Sequence, residues 1–148
     1  MIDRFDGNYE FLSNFAEYPI LYQGQLWPSN EHAFQGAKTL DPIQKNAIRY
    51  AYTPGQAKRL GRQVTLRPDW EEVKKQIMYE ICYEKFTQHE DLAKALLETG
   101  EQKLVEGNYW HDCYWGVCNG VGDNHLGKIL MRIREELRGT DKESADRA

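Results

Sequence analysis

The sequence of 148 residues has no long hydrophobic run, and its most apolar stretches, residues 77–82 and 129–133, are short and flanked by charged residues. A helix that crosses a bilayer needs about 20 consecutive apolar residues. We therefore expect neither a signal peptide nor a membrane span, and we expect a cytoplasmic protein without a membrane partner. With 41% hydrophobic residues, the chain can still bury one ordinary core.

Cysteine is scarce as well. The three residues Cys82, Cys113 and Cys118 are an odd number without the spacing of a disulfide scaffold, which fits a reducing compartment. Two of them, with His111 and His125, raise the alternative of a metal cluster. Because the interval of four residues between Cys113 and Cys118 matches no common zinc pattern, we expect no metal and no other cofactor.

Positive charge is also limited, since the formal net charge is −4. Non-specific binding to duplex nucleic acid depends on many Lys and Arg contacts to phosphates, so the net charge argues against a broad nucleic-acid surface but allows binding of a single base or strand end. One local basic run contains Lys58, Arg59, Arg62 and Arg67. A solvated helix face explains it best, with phosphate binding as the alternative.

The first part of the chain is typical of short strands. Residues 2–5 form one candidate, and residues 19–22 and 25–27 flank Gln23-Gly24 as the two arms of a hairpin. Residues 103–105 form a further candidate strand. The sequence therefore predicts a small antiparallel sheet.

Helical signals dominate after Pro28. Ser29 or Asn30 caps a short helix from about Glu31 to Thr39. Four later helix starts have the capping-box pattern, namely Asp41 with Gln44, Thr53 with Gln56, Asp69 with Glu72, and Thr87 with Glu90.

The longest predicted helix has an apolar stripe at helical spacing that begins at Trp70 and passes through Val73, Ile77 and Ile81. Gly100 ends the following helix, and a last amphipathic helix stops before Gly139. These elements predict an α+β fold, a single mainly helical domain with a small antiparallel β-sheet. We expect this domain to span residues 1–139 and a polar, disordered tail to span residues 140–148.

The helix after Ser29 contains one candidate site. Glu31, Gln35 and Lys38 fall near one face, because offsets of four and seven residues return to the same side of a helix. Spacing alone favours a surface helix, in which Glu31 interacts favourably with the helix dipole and Lys38 is solvated.

The non-periodic segment Asn108–Gly127 contains the second candidate site. It concentrates aromatic rings, hydrogen-bonding side chains and glycines, which suit stacking and close backbone approach to a ligand. A helix that begins just after Asp123 would also point unpaired N–H groups at an anion such as phosphate. We therefore expect a nucleotide-like or sugar phosphate ligand.

Residues 11–15 add a third patch of rings and short polar side chains, and the three patches together predict one pocket. Its candidate catalytic residues are Glu31, Asp112 and Lys38, and its candidate substrate-binding residues are Asn14, Phe15, Trp70, Trp115, Gly116 and Asn124. Structural roles compete with binding roles. The core interpretation is the stronger one for Trp70, which begins the apolar stripe, and the two asparagines are equally suited to cap or turn the backbone.

Several motifs in order give the sequence a family resemblance. They are residues 11–15 (FLSNF), 27–38 (WPSNEHAFQGAK), 70–78, 85–86, 112–116 and 122–127. In these segments the sequence resembles the YbiA-like or NADAR domain family over nearly its whole length.

The resemblance implies N-glycosidic chemistry on nucleotide derivatives. Members of this family hydrolyse the N-glycosidic bond of early riboflavin-pathway intermediates, and others remove ADP-ribose from guanine bases. It therefore implies as partner a small ribosylamine or ADP-ribosyl substrate, or a modified nucleic-acid base. A module that binds ADP-ribose without turning it over is the alternative from a different functional class.

Two mechanisms suit these residue types. In the first, one of Glu31 and Asp112 stabilises the oxocarbenium-like centre or directs water, while the other protonates the leaving nitrogen. In the second, Lys38 forms a Schiff base with the ring-opened sugar, which requires a partly neutral amine. The sequence leaves both open, along with a phosphate-binding role for Lys38.

Overall fold

The structure is a computed structural model that describes residues 1–147, with the side chains of residues 1–140. Its elements in chain order are a 3₁₀ turn Gly7–Leu12, β1 Ile20–Tyr22, β2 Gln25–Trp27, α1 Asn30–Gly36, α2 Pro42–Arg49, α3 Pro54–Gly61, α4 Trp70–Gln88, α5 Glu90–Glu98, β3 Gly107–Asn108, β4 Val117–Cys118 and α6 His125–Arg147. The predicted fold class, mainly helical with a small antiparallel sheet, is confirmed.

The hairpin of β1 and β2 forms where the sequence predicts it. The strands pair antiparallel, with Ile20 opposite Trp27 and both side chains buried. Gln23 and Gly24 have φ values of 51° and 78°. Two consecutive positive φ values match the twist of a two-residue hairpin loop, which is why a turn containing glycine is favoured here.

The other strands differ from the prediction. The candidates at residues 2–5 and 103–105 reduce to a single parallel bridge between Ile2 and Leu104. A second two-stranded sheet, unforeseen from sequence, pairs β3 with β4 in parallel. Pairs of two residues are too short to produce an alternating hydrophobic pattern, so periodicity does not reveal them.

Most of the predicted helix caps are present. The side chains of Ser29, Asp41 and Thr53 each accept a hydrogen bond from a backbone N–H in the first turn of α1, α2 and α3. The capping box predicted at Thr87 is wrong, because α4 continues to Gln88 and α5 follows at Glu90. Burial of Ile81 and Phe86 on the apolar stripe favours continuation of α4 over a local cap.

The last helix is longer than predicted. Helix α6 continues beyond Gly139 to Arg147, so the predicted end before Gly139 is wrong. A glycine inside a helix costs about 1 kcal/mol relative to alanine, which does not by itself terminate the helix. The domain boundary at residue 139 stays a prediction, and Ala148 lies outside the described residues.

Residue contacts divide the chain into two compact units. The first comprises Met1–Ser13 and the chain from Phe86 onward, and within it α5 packs against α6. The second comprises Asn14–Lys85, and within it α1 packs against β2, α2 and α3. Among the helices of residues 1–147, none is both long and apolar enough to cross a membrane.

Candidate active site

Helix α1 is buried along its whole length, although four of its seven residues are polar. Glu31 is only 7% exposed and Gln35 only 3%. The surface-helix interpretation that spacing alone favoured is therefore wrong. A buried carboxylate is costly unless it is paired or hydrogen-bonded, so each contact of Glu31 matters for its role.

Glu31 is held at both its backbone and its side chain. Its N–H donates to the carbonyl of Asn14 at 3.0 Å, and its Oε1 accepts from Nε2 of Gln35 at 2.7 Å. Gln35 is fixed in turn by α3, because a Cβ added at Gly61 would overlap Oε1 of Gln35. The glycine thus allows α3 to approach α1 closely enough to hold the Gln35–Glu31 pair.

Asn14 supports the start of α1. Its Oδ1 accepts from Nδ2 of Asn30 at 3.1 Å, and its Nδ2 lies 3.4 Å from the sulfur of Met78. The side chain is 8% exposed. These contacts favour the structural interpretation of Asn14, in which it connects the chain before β1 to the helix that carries Glu31.

Lys38 follows α1 by two residues and is half-buried. Burial lowers the pKa of Lys38, and the positive charges of Lys58, Arg62 and Lys74 lower it further, whereas the negative charge of Glu31 opposes the shift. Among the side chains of residues 1–140, none hydrogen-bonds or ion-pairs with the Lys38 amine. The amine therefore has a larger neutral fraction at a given pH than a solvated lysine has.

Three rings lie in the same compact unit. Nζ of Lys38 lies 5.9 Å from the centroid of Phe34, and the Phe34 ring packs at 5.1 Å against Trp70, which is 5% exposed. The burial of Trp70 favours its core interpretation. Phe15 is 44% exposed, with Nζ of Lys58 5.7 Å from its centroid.

His32 is a structural partner that sequence reasoning left without a role. Its Nε2 lies 3.0 Å from the carbonyl of Ala51 and its Nδ1 lies 2.7 Å from Oγ of Ser29. Burial lowers the pKa of His32, and the bond to Ala51 opposes this shift. Because a carbonyl only accepts, Nε2 carries the proton of the neutral ring, which joins α1 to the segment after α2.

Asp112 lies in the first compact unit, in the loop between β3 and β4. Its Oδ1 accepts from the N–H groups of Tyr114 and Trp115 at 3.1 and 2.9 Å. Asn108 accepts from the Asp112 N–H and donates to its carbonyl. Within the described side chains no donor reaches Oδ2, so one oxygen holds the loop while the other stays available.

The start of α6 does not present the free N–H groups that the sequence predicted. The N–H groups of Asn124, His125 and Leu126 donate to the carbonyls of Gly116, Tyr114 and Trp115 at 3.3, 3.1 and 2.9 Å. The predicted anion site at this helix start is therefore wrong. The loop before α6 folds back and supplies the missing acceptors itself.

Asn124 and Gly116 are also engaged in holding this loop. The Asn124 amide accepts from the N–H of Glu106 at 3.0 Å and donates to the carbonyl of Leu104 at 2.9 Å. A Cβ added at Gly116 would overlap the carboxylate and the carbonyl of Glu106. Both observations favour the structural interpretation over ligand contact.

Trp115 is half-buried and packs edge-on against Tyr114, with ring centroids 4.8 Å apart. The Tyr114 ring also lies 4.5 Å from His125 at the start of α6. Within the described residues, no three His, Cys, Asp or Glu side chains form a group that could hold a metal ion.

The structure thus brings Asn14, Phe15, Glu31, Lys38 and Trp70 into one compact unit, and Asp112, Trp115, Gly116 and Asn124 into the other. Two residues that influence the surroundings of Glu31 and Lys38 were not singled out from the sequence. Lys74 lies on α4, distant in sequence from the basic run, and Gly61 gives no signal because its importance depends on the neighbouring helix.

A comparison with protein families decides the classification: the NADAR domain model matches residues 3–138. The chain belongs to the NADAR domain family. The match covers both compact units, including every candidate residue named above.

Individual NADAR relatives agree with this result. The N-glycosidase YbiA of Escherichia coli strain K12 is 44% identical over 133 residues, which cover 88% of this chain and 82% of that protein. An N-glycosidase of Nostoc punctiforme is 43% identical over 136 residues, covering 88% and 86%. A riboflavin biosynthesis protein of Vibrio vulnificus is 40% identical over 136 residues, covering 90% of this chain and 37% of that longer protein.

The NADAR fold is supported by a solved structure. The NMR structure of E. coli YbiA superimposes with a TM-score of 0.85 at 41% identity, covering 97% of this chain and 90% of that chain.

Proposed function

We propose that this chain is an N-glycosidase that hydrolyses the ribosyl C–N bond of a ribosylamino heterocycle, such as an early phosphoribosylamino-pyrimidine of riboflavin synthesis. Two relatives are named N-glycosidases, and a third is named a riboflavin biosynthesis protein. These names support the reaction class more strongly than the substrate.

One observation carries the assignment of residues: α1 places a buried, hydrogen-bonded carboxylate, Glu31, close enough to Lys38 to influence its pKa. Ionisable groups whose pKa is shifted by burial and by specific charges cluster at active sites.

In the first mechanism, Glu31 acts on the sugar. Cleavage of the C–N bond develops positive charge at the anomeric carbon. The Glu31 carboxylate either stabilises this charge or directs a water molecule that attacks the carbon. The bond from Gln35 fixes the orientation of the carboxylate, so little reorganisation is needed during the reaction. Asp112 stays the predicted second carboxylate, with Oδ2 as the atom that can exchange a proton.

In the second mechanism, Lys38 acts covalently. The ribosylamine opens to an imine, the neutral Lys38 amine adds to the anomeric carbon, and the base departs with its amine nitrogen protonated. Water then hydrolyses the lysine Schiff base and releases the sugar. The lowered pKa of Lys38 supports this route, because only the neutral amine is a nucleophile.

A substrate panel tests the proposal. Released base is measured after incubation with a phosphoribosylamino-pyrimidine and, in parallel, with ADP-ribosylated guanosine. We expect release from the pyrimidine. Release from the guanosine alone would favour the second candidate, a hydrolase that removes ADP-ribose from guanine. Binding of ADP-ribose without turnover of either compound would favour a binding module.

Reductive trapping separates the two mechanisms. Borohydride added during turnover should leave a sugar adduct on Lys38, located by peptide mass spectrometry and lost in Lys38→Ala. Turnover by the native protein without an adduct would favour direct attack by water.

A further inference from the structure

One buried amide, that of Gln35, lies between the candidate carboxylate and helix α3. Gln35 is 3% exposed, and its Nε2 lies 2.7 Å from Oε1 of Glu31, one turn earlier on α1. A Cβ added at Gly61 would overlap the Gln35 amide, so the amide fits only because α3 has a glycine at this position. The amide is therefore enclosed by protein on both sides.

The Gln35 amide makes a bond on its donor side and none on its acceptor side. Within the part of the chain that the structure describes, Oε1 of Gln35 is buried and accepts no hydrogen bond. A buried acceptor without a partner costs free energy, which the bond on the other side of the amide has to offset. A hydrogen bond to an ionised carboxylate is roughly twice as strong as a bond between neutral groups.

The direction of this bond is coupled to the charge of Glu31. A contact of 2.7 Å between the amide and the carboxyl group needs one proton between the two atoms. When Nε2 of Gln35 faces Glu31, the amide supplies this proton and the carboxylate is ionised. When Oε1 of Gln35 faces Glu31, the carboxyl group has to supply it. The observed orientation therefore corresponds to an ionised Glu31.

The charged groups around α1 favour the same form of Glu31, because most of them are basic. The basic groups are Lys38, Lys45, Lys58, Arg62, Arg67, Lys74 and Lys85, and the acidic groups are Glu17, Asp69 and Glu71. Asp69 and Glu71 are paired with Arg67 and Lys74, and β2 has no ionisable residue. Gln35 is uncharged, so its contribution can be removed without a change in this field.

We propose that Gln35 is a positioning residue that holds Glu31 in its ionised form, so that Glu31 stabilises the sugar cation or directs water and does not protonate the leaving nitrogen. The inference rests on the proposed function and deepens it, because it chooses between the two roles that Glu31 could have. The proton for the leaving nitrogen then comes from another group, for which Oδ2 of Asp112 is the predicted atom.

The first test needs no substrate. The side-chain carboxyl carbon of Glu31 is followed by NMR as a function of pH in the full-length protein, and its signal is assigned by its loss in Glu31→Gln. Gln35→Met keeps the length of the side chain but has no donor, so it should raise the proton affinity of Glu31 at least about tenfold. Gln63→Met is the matched control at an exposed glutamine, and it should leave the titration unchanged.

Gln35→Glu is the second variant, which keeps the shape of the side chain and removes the donor. Two carboxyl groups in contact cannot both be ionised at low cost, so they should share one proton at a pH where the native Glu31 is ionised. An ionised pair at that pH, or an unchanged titration of Glu31 in Gln35→Met, would overturn the inference. So would a native Glu31 that is protonated at about pH 7, because the Gln35 amide would then accept the proton.

Turnover separates this inference from the proposed function. In Gln35→Met, the acid limb of the kcat profile should move to higher pH together with the Glu31 titration, and kcat should recover at higher pH. An equal loss of kcat at every pH would show a merely structural role and refute the inference. A native protein that hydrolyses nothing but shows the Gln35-dependent titration keeps the coupling and loses the proposed function. Hydrolysis by a protein whose Glu31 titration ignores Gln35 keeps the function and removes the inference.

Discussion

Helix α1 and the loop of residues 108–124 both contain carboxylate and amide side chains, but the two regions use them differently. In the loop, Asp112 and Asn124 direct their hydrogen bonds to backbone groups of the same unit, and Asn108 bonds to the backbone of Asp112 and to the carboxylate of Glu106. Around α1, the Lys38 amine has no hydrogen-bond partner and Oε1 of Gln35 is buried without one, within the part of the chain that the structure describes.

This difference teaches that richness in rings, amides and glycines does not by itself identify a binding site. Most polar groups of the loop satisfy one another, and within the described side chains Oδ2 of Asp112 is left without a donor. Helix α1 instead carries a buried carboxylate, Glu31, and it is followed by the half-buried amine of Lys38, whose pKa is lowered by burial. We therefore propose that the principal catalytic groups lie on α1 and at Lys38, and that the loop is mainly structural, with Asp112 as its predicted catalytic contribution.

The largest expected effect concerns Lys38. Lys38→Ala should lower kcat by about 10²-fold or more, because a group that reacts or transfers a proton is lost. Lys38→Arg should remain equally slow, since a guanidinium keeps its proton. Steady-state kinetics of the two variants check this. Recovery of activity in Lys38→Arg would show that only the positive charge matters.

The contact between α3 and α1 gives the next prediction. Gly61→Ala should destabilise the protein by about 1–3 kcal/mol and lower kcat, because its Cβ displaces Gln35 and releases Glu31. Gly55→Ala is the control on the same helix, where the nearest atom to an added Cβ lies at 3.9 Å, so it should be neutral or slightly stabilising. Denaturant unfolding and kinetics of both variants are compared. Equal effects would refute a specific role for the Gly61 contact.

For the loop, Asn124→Ala should cost about 1–3 kcal/mol of unfolding free energy, because Glu106 N–H and Leu104 C=O lose their partner. KM should change little. A large rise in KM at unchanged stability would instead assign Asn124 to substrate binding, as the sequence allowed.

The smallest effect is a pH dependence of stability. His32 has a pKa of 6.5 when unfolded and a lower one when folded. The unfolded chain therefore binds a proton that the folded chain does not, and stability falls as the pH drops below 6.5. The slope approaches at most about 1.4 kcal/mol per pH unit. Urea unfolding between about pH 5.5 and 7.5 should show a reduced slope in His32→Gln.

Local signals in the sequence were sufficient for much of the fold. Gln23-Gly24 predicted the hairpin, and Ser29, Asp41 and Thr53 predicted three helix starts. These features depend on neighbours a few residues away. The box at Thr87 failed because tertiary packing of α4 overrides a local preference.

The candidate site was less predictable, because contacts between distant segments decide its geometry. The sequence suggested Glu31 and Lys38 as catalytic candidates, which stay predictions, but it favoured a surface helix, because the polar residues of α1 gave no sign of burial. It also predicted free N–H groups at the start of α6, which the loop carbonyls of Tyr114 and Trp115 occupy. Both outcomes depend on contacts between segments that are distant in sequence.

The most direct test of the central claim is single-turnover base release by Glu31→Gln, with substrate affinity measured on the same protein. The account predicts that release falls by about 10²-fold or more while affinity stays within roughly tenfold, because Gln keeps the shape and loses the charge that stabilises the transition state. Base release at the native rate would contradict it and remove α1 from the chemistry.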